Sequence, residues 1–102
     1  MIVRFFDYKT EKFIKSHEKE TVAKVLRTID LLETFGNNLD LPHSRKIADR
    51  LFELRVRGKQ EVRILYTFHK GEAILLGGFL KKTQHTPQRE IRKALQKIKG
   101  LT

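Results

Sequence analysis

The chain predicts an α+β fold. The expected architecture is a small antiparallel sheet, made of an N-terminal strand and a three-strand meander, with two N-terminal helices and one C-terminal helix. Three observations predict it. Val22, Val25, Leu26, Ile29, Leu32 and Phe35 recur at three- and four-residue steps, the apolar stripe of a long helix. Three β-favouring runs, 51–57, 61–68 and 73–80, follow with only short turns between them. Ile91, Leu95 and Ile98 then form a second helical stripe. The order strand, helix, helix, three strands, helix is an α+β layout.

Each element has its own signal. Ile2 to Tyr8 is rich in β-favouring residues and predicts the first strand. Thr10 can cap a short helix running to about His17, with Phe13 and Ile14 turned inward. The long helix ends at Gly36-Asn37-Asn38, residue types that accept the left-handed cap conformation. Leu39 to His43 is a loop around Pro42, and the polar stretch from Ser44 to Arg50 suits a single helical turn. Leu51 to Arg57 alternates, with Phe52, Leu54 and Val56 on one face and Glu53, Arg55 and Arg57 on the other. Gly58-Lys59-Gln60 turns the chain into a strand whose Val62, Ile64, Tyr66 and Phe68 share a face opposite Arg63. After the Lys70-Gly71 turn, Ala73 to Leu80 is almost continuously apolar, which predicts a strand covered on both sides. Thr86-Pro87 opens the last helix, with Thr86 as cap and Pro87 at the first helical position. This layout places the helices on one face of the meander and leaves the other face partly open and basic.

The 102 residues fit one domain, 1–102, with one modest core. No apolar run approaches the roughly 18 residues of a membrane helix, and the first residues lack the apolar core of a signal peptide. The chain has no cysteine, so it has neither disulfides nor a thiolate metal site. A cytoplasmic location without membrane association is the expectation. The net charge is +10, and it is segregated. Residues 1–42 hold seven Lys/Arg against seven Asp/Glu, whereas residues 43–102 hold fifteen against five. All the excess lies on the half that carries the strands. Such a field attracts polyanions and speeds their encounter.

No metal, phosphate-loop or dinucleotide motif is present, and no cofactor is expected. The four histidines, His17, His43, His69 and His85, lack zinc-site spacing. Gly77-Gly78 lies within a strand, where paired glycines mark close packing or a bulge. What remains is a set of cations with few proton carriers. RNA carries its own nucleophile, the 2′-hydroxyl, beside each phosphate. A protein that cleaves it must align that hydroxyl, stabilise charge on the phosphate oxygens and move protons. Arginine suits the second task because its planar fork binds oxygens in pairs.

Three segments carry a family resemblance: Glu53-Leu54-Arg55, then Arg63-Ile64-Leu65-Tyr66, then Gly78-Phe79-Leu80-Lys81-Lys82-Thr83-Gln84-His85-Thr86-Pro87. In their order and spacing, from about residue 20 to 98, the chain resembles the RelE/HigB superfamily of toxins from type II toxin-antitoxin systems, in particular its phage-derived branch. The resemblance implies a RelE-like fold and a metal-independent, ribosome-dependent messenger RNA endonuclease. It also implies a cognate antitoxin with a helix-turn-helix domain, through which alone the toxin would reach operator DNA.

The site follows residue by residue from that resemblance. Arg63 matches the arginine that contacts the scissile phosphate. Arg55 and Arg57 match catalytic or phosphate-binding positions, and Lys81 and Lys82 match the basic pair that ends the last strand. Of that pair, one member faces the cleft and the other solvent. Arg63, Lys82, His85 and Arg55 are the catalytic candidates, with His85 as an imidazole able to give or take a proton. Arg57, Lys81, Lys46, His43 and Thr83 are the phosphate-binding candidates. His43 and Lys46 enter through a His-x-x-Lys pattern similar to that of HigB relatives. Two departures stand out. Glu53 replaces a lysine of RelE and suits a structural pairing with a neighbouring arginine. Ile91 stands where RelE has a tyrosine near its C-terminus, and Tyr66 faces the core. Two other readings use the same basic face: a non-catalytic phage-derived module acting with a helix-turn-helix antitoxin or repressor, and a ParE-type inhibitor of gyrase.

Overall fold

A computed structural model describes residues 1–101. Nine elements follow one another. They are β1 (Val3–Phe5), α1 (Tyr8–Lys15), α2 (Lys19–Phe35), a 3-10 turn (Gly36–Asn38), β2 (Ser44–Ala48), β3 (Leu51–Val56), β4 (Val62–His69), β5 (Glu72–Leu80) and α3 (Gln88–Lys99). No helix among the described residues is long and apolar enough to cross a membrane.

The sheet order is β1-β5-β4-β3-β2. The predicted meander is present as β3, β4 and β5, all antiparallel. Two features depart from the expected sheet. β1 pairs with β5 in parallel, so the sheet is mixed. A parallel pair needs a long crossover, and everything from α1 to β4 supplies it. The stretch read as a helical turn is instead a fifth strand, β2, antiparallel to β3 with Arg45 opposite Glu53 and Lys46 opposite Phe52. Its polar sequence fits because β2 is an edge strand, where charged side chains discourage further pairing. Asp49 and Arg50 turn the chain into β3, with Arg50 at φ 60°.

The helix starts also differ. Asp7, not Thr10, caps α1 by accepting the Lys9 N–H at 3.1 Å, so β1 stops at Phe5 and Thr10 lies inside the helix, buried. α2 buries Thr21, Val25, Thr28 and Leu32. Leu26 and Phe35, assigned to the stripe, are 52% and 51% exposed. The buried stripe is rotated because threonine can join it. The Thr28 hydroxyl donates to the Lys24 carbonyl one turn back at 3.0 Å and needs no other partner. The helix stops at Gly36 as expected, but at φ 53° and ψ −127° rather than in the left-handed helical conformation, with the Met1 side chain packed where a Cβ would point.

Two apolar clusters sandwich the sheet. On one face Ile14, Val25 and Leu32 of α1 and α2 pack on Leu54, Val56, Val62, Ile64, Tyr66, Ala73 and Leu75. On the other, Ala94 and Ile98 of α3 pack on Leu51, Leu65, Ile74, Leu76 and Phe79. The expectation of helices on one face only is therefore corrected. The apolar second side of β5 requires a cover, and α3 provides it. Each buried Leu or Ile contributes about 1.5–3 kcal/mol. Gly78 allows the closest approach: a Cβ there would lie 2.6 Å from the Phe13 ring. A bulge between Leu65 and Tyr66 leaves Leu76 as the additional residue of β5. α3 covers only part of its face. The rest, over β2, β3 and the start of β4, carries the charged residues.

Candidate functional site

The register of three strand pairs assembles one cation cluster. Arg45 of β2 lies opposite Glu53 of β3, and Arg55 of β3 lies opposite Arg63 of β4. Alternation turns these side chains to the α3 side, away from the α1–α2 core. Lys81 joins them from the end of β5, where its N–H donates to the Glu61 carbonyl at 2.8 Å.

Glu53 is the centre of the cluster. It is fully buried at 0% exposure, and Arg63 beside it is 2% exposed. One carboxylate oxygen, Oε1, faces Arg63 Nε at 3.8 Å and Arg45 Nη2 at 3.7 Å. The other, Oε2, accepts the Thr86 hydroxyl at 2.6 Å. Arg63 also donates to Glu61 at 3.2 Å and to its neighbour's carbonyl, Val62 O, at 3.1 Å. Thr86 thus spends its hydroxyl on Glu53, and α3 begins at Gln88 without a side-chain cap, contrary to the expected role of Thr86. That bond ties the 81–87 loop to Glu53 on this face.

The cluster is unbalanced: Arg45, Arg55, Arg57, Arg63 and Lys81 stand against Glu53 and Glu61. Burial lowers the pKa of Arg55, and Arg57, Arg63 and Arg45 lower it further. Burial likewise lowers Lys81, followed by Arg63, with Arg55 and Arg45 adding to it and Glu53 opposing. Glu61 is pushed up by burial, but the Arg63 hydrogen bond and charge hold it below the usual carboxylate range. The Nε atoms of Arg55 and Arg63, both buried, have no hydrogen-bond partner among the described residues. Mutually repelling guanidiniums are stabilised by an incoming anion, and the flat fork of arginine matches phosphate.

The sequence-derived candidates divide into three groups. Arg55, Arg63 and Lys81 lie in the cluster, with Arg57 close enough for its charge to act on Arg55. Lys82, Thr83 and His85 are exposed on the loop that Thr86 tethers, and the Thr83 hydroxyl donates to the His85 carbonyl at 2.9 Å. Lys46 and His43 lie elsewhere. Lys46 faces the α1–α2 side opposite Phe52, and His43 lines a groove beside α2. Sequence reasoning missed Arg45, Glu61 and the Thr86 tether. Arg45 became visible only once Ser44–Ala48 proved to be a strand. Glu53 holds the structural pairing expected of it, and Tyr66 lies in the core, hydrogen-bonded to Ser44.

No curated protein matches the chain. A family model described as "Phage derived protein Gp49-like (DUF891)" matches residues 12–99, a span that contains every member of the cluster. The chain belongs to that family.

Proposed function

From membership of the Gp49-like phage-derived family, we propose that this chain is the toxin of a toxin-antitoxin pair and that it cleaves messenger RNA on the ribosome at the Glu53-centred cluster. The observation that carries the reading is the pairing of Arg45 and Arg63 with one buried carboxylate, Glu53, with Arg55 and Lys81 close enough for their charges to act on the same cluster and with the Nε atoms of Arg55 and Arg63 lacking hydrogen-bond partners among the described residues. In the proposed reaction a 2′-hydroxyl loses its proton and attacks the adjacent phosphorus. The P–O5′ bond breaks, and the departing oxygen takes up a proton. Arg55 and Arg45, the more accessible guanidiniums, hold the phosphate oxygens as charge accumulates. Arg63 acts from beneath: it neutralises Glu53 and fixes the position of that carboxylate. Lys81, at the end of β5 beside the cluster, is the first proton carrier in this reading, its ammonium made easier to deprotonate by burial and by the surrounding guanidiniums. His85, across the same loop, is the second carrier. In this reading the protein's own cations do the work that a metal ion would otherwise do, and an antitoxin silences the site by covering the basic face.

One observation favours a second reading. Arg63 is 2% exposed and committed to two acidic partners, as a cation with a purely structural task would be. The cluster would then bind a polyanion without cutting it. Induced expression of the wild type, Lys81→Ala and Arg55→Ala, with primer extension on a cellular messenger RNA, separates the readings. Growth arrest with new cleavage ends in the wild type, and loss of both in the variants, supports the nuclease. Arrest without cleavage points to another target such as gyrase. No arrest favours the binding module.

A further inference from the structure

A second concentration of positive charge lies round the corner from the cluster. A groove of about 400 Å³ runs between α2 and the end of β3. Lys24, Arg27, Arg57 and His43 line it, with Leu31 and Val56 among its apolar walls, and its lining includes no carboxylate. The Lys24 ammonium reaches over the β3–β4 turn, where a Cβ on Gly58 would lie 2.8 Å from Nζ. Its ion pair with Glu20 is loose, at 3.8 Å with Glu20 60% exposed. Arg27 and Arg57 are exposed. Lys24 and Arg27 belong to the half of the chain whose charges sum to zero, yet folding sets them beside the basic half.

The groove opens on the α2 side of the sheet and adjoins the cluster through the end of β3, where the charge of Arg57 acts on Arg55. His43 lines the groove, and its carbonyl accepts the N–H of Arg55, a cluster residue, at 2.8 Å. Arg57, two residues along from Arg55, lines the groove as well. We propose that this groove is a second nucleic-acid subsite, in which Lys24, Arg27, Arg57 and His43 hold the phosphates of single-stranded RNA that flank the phosphate held by the cluster. The proposal rests on the RNA reading of the cluster and extends it. RNA fits better than an acidic protein segment because Arg57, which lines the groove, also acts on Arg55 of the cluster, so the two basic sites adjoin at the end of β3 as successive phosphates of one strand require. The apolar walls offer a surface for a ribose or base.

The test is fluorescence anisotropy with 2′-O-methyl oligouridylate, which lacks the attacking hydroxyl, as a ten-residue strand and as a dinucleotide. The proteins are the full-length wild type, Lys24→Gln/Arg27→Gln and Arg55→Gln. At the groove both substitutions lie away from the apolar core. The double variant should bind the ten-residue strand about tenfold or more weakly, and its slope of log affinity against log salt should fall by about 1.4, or about 0.7 per lost phosphate contact. Its binding of the dinucleotide should not change, whereas Arg55→Gln should weaken both ligands. Wild-type affinity of the double variant for the longer strand overturns the proposal, and the cluster reading survives if Arg55→Gln still weakens both. Weakening by the groove variant alone removes the cluster from the RNA path and overturns the proposal that the groove flanks it. Unchanged RNA binding with weakened binding of oligoglutamate would reassign the groove to an acidic protein segment and overturn the proposal.

Discussion

Replacing Arg63 with alanine should disrupt folding before it can report on chemistry. Arg63 and Glu53 are 2% and 0% exposed, and the guanidinium is the nearest buried cation to the carboxylate. In Arg63→Ala, Glu53 keeps the Thr86 hydroxyl and a 3.7 Å contact to Arg45, whose side chain is 47% exposed. Neither compensates a desolvated negative charge. Breaking a buried pair from one side costs about 3–5 kcal/mol, against a total stability of about 5–15 kcal/mol for a small domain. With a urea dependence of about 1–3 kcal/mol per molar, the unfolding midpoint followed by circular dichroism should fall by about 2 M. Removing both charges should reverse most of this, because apolar residues of similar volume replace a buried pair at little cost. Arg63→Met/Glu53→Leu should therefore be more stable than Arg63→Ala. A midpoint shift in Arg63→Ala below about 0.5 M, or a double variant no better than the single one, would refute the claim that the pair is desolvated. The practical consequence concerns toxicity assays. Loss of growth arrest in Arg63→Ala cannot be assigned to catalysis, whereas Lys81→Ala and Arg55→Ala leave the buried pair intact.

Three further predictions follow from other contacts. Thr86→Val should cost about 1.5–3 kcal/mol, the range for a hydrogen bond to a charged group, and should speed proteolysis within 81–87, because the 2.6 Å bond to Glu53 anchors that loop. Gly78→Ala should lower the melting temperature, with a loss of about 1–3 kcal/mol from overpacking, since its Cβ would lie 2.6 Å from the Phe13 ring; an unchanged melting temperature would mean that the ring yields freely. Asp7→Asn keeps a good cap on α1 but removes the 2.9 Å ion pair with Lys97. Burial raises the Asp7 pKa, yet the Lys97 hydrogen bond and charge, with the backbone N–H groups of Thr10 and Lys9, bring the net value below 3.8. A depressed folded pKa contributes stability above the unfolded value that is lost as pH falls through the folded one. The variant should thus be about 0.5–1 kcal/mol less stable than the wild type at pH 7, and the two unfolding curves should converge as the pH drops below 3.8.

Sequence patterns that encode burial were legible in this chain, and those that depend on a distant partner were not. The β3, β4 and β5 runs, the Lys70-Gly71 turn and the Gly36 stop are local signals, and each stands in the structure. β2 was misread because its polar residues acquire strand geometry from the edge of β3, which lies later in the chain. The stripe of α2 was placed on slightly wrong residues because a threonine that bonds its own helix counts as polar on any hydropathy scale. At the site, alternation put Arg55 and Arg63 on one face but could not reveal that the 81–87 loop is tied to the neighbouring Glu53. That tie depends on one hydroxyl, Thr86, which local sequence assigns to a helix cap. Arg45 followed β2 out of view, and the groove beside α2 draws on residues from both halves of the chain.

The pairing register links the interior of the protein to its charged surface. Along β3 and β4, Leu54, Val56, Val62 and Ile64 enter the core while Glu53, Arg55 and Arg63 take the alternate positions. A slip of one residue would expose the apolar set and carry the cations into the core. The energetic penalty on that error is set by oil-like side chains that never meet a ligand, and it is far larger than any preference the arginines could enforce. Selection for a well-packed core therefore protects the geometry of the phosphate face. It also means that the whole site needs the whole meander: residues 45, 55, 63 and 81 become neighbours only when four strands have found one another. Anion binding by this surface is then an all-or-none property that should appear and vanish with the cooperative folding of the sheet.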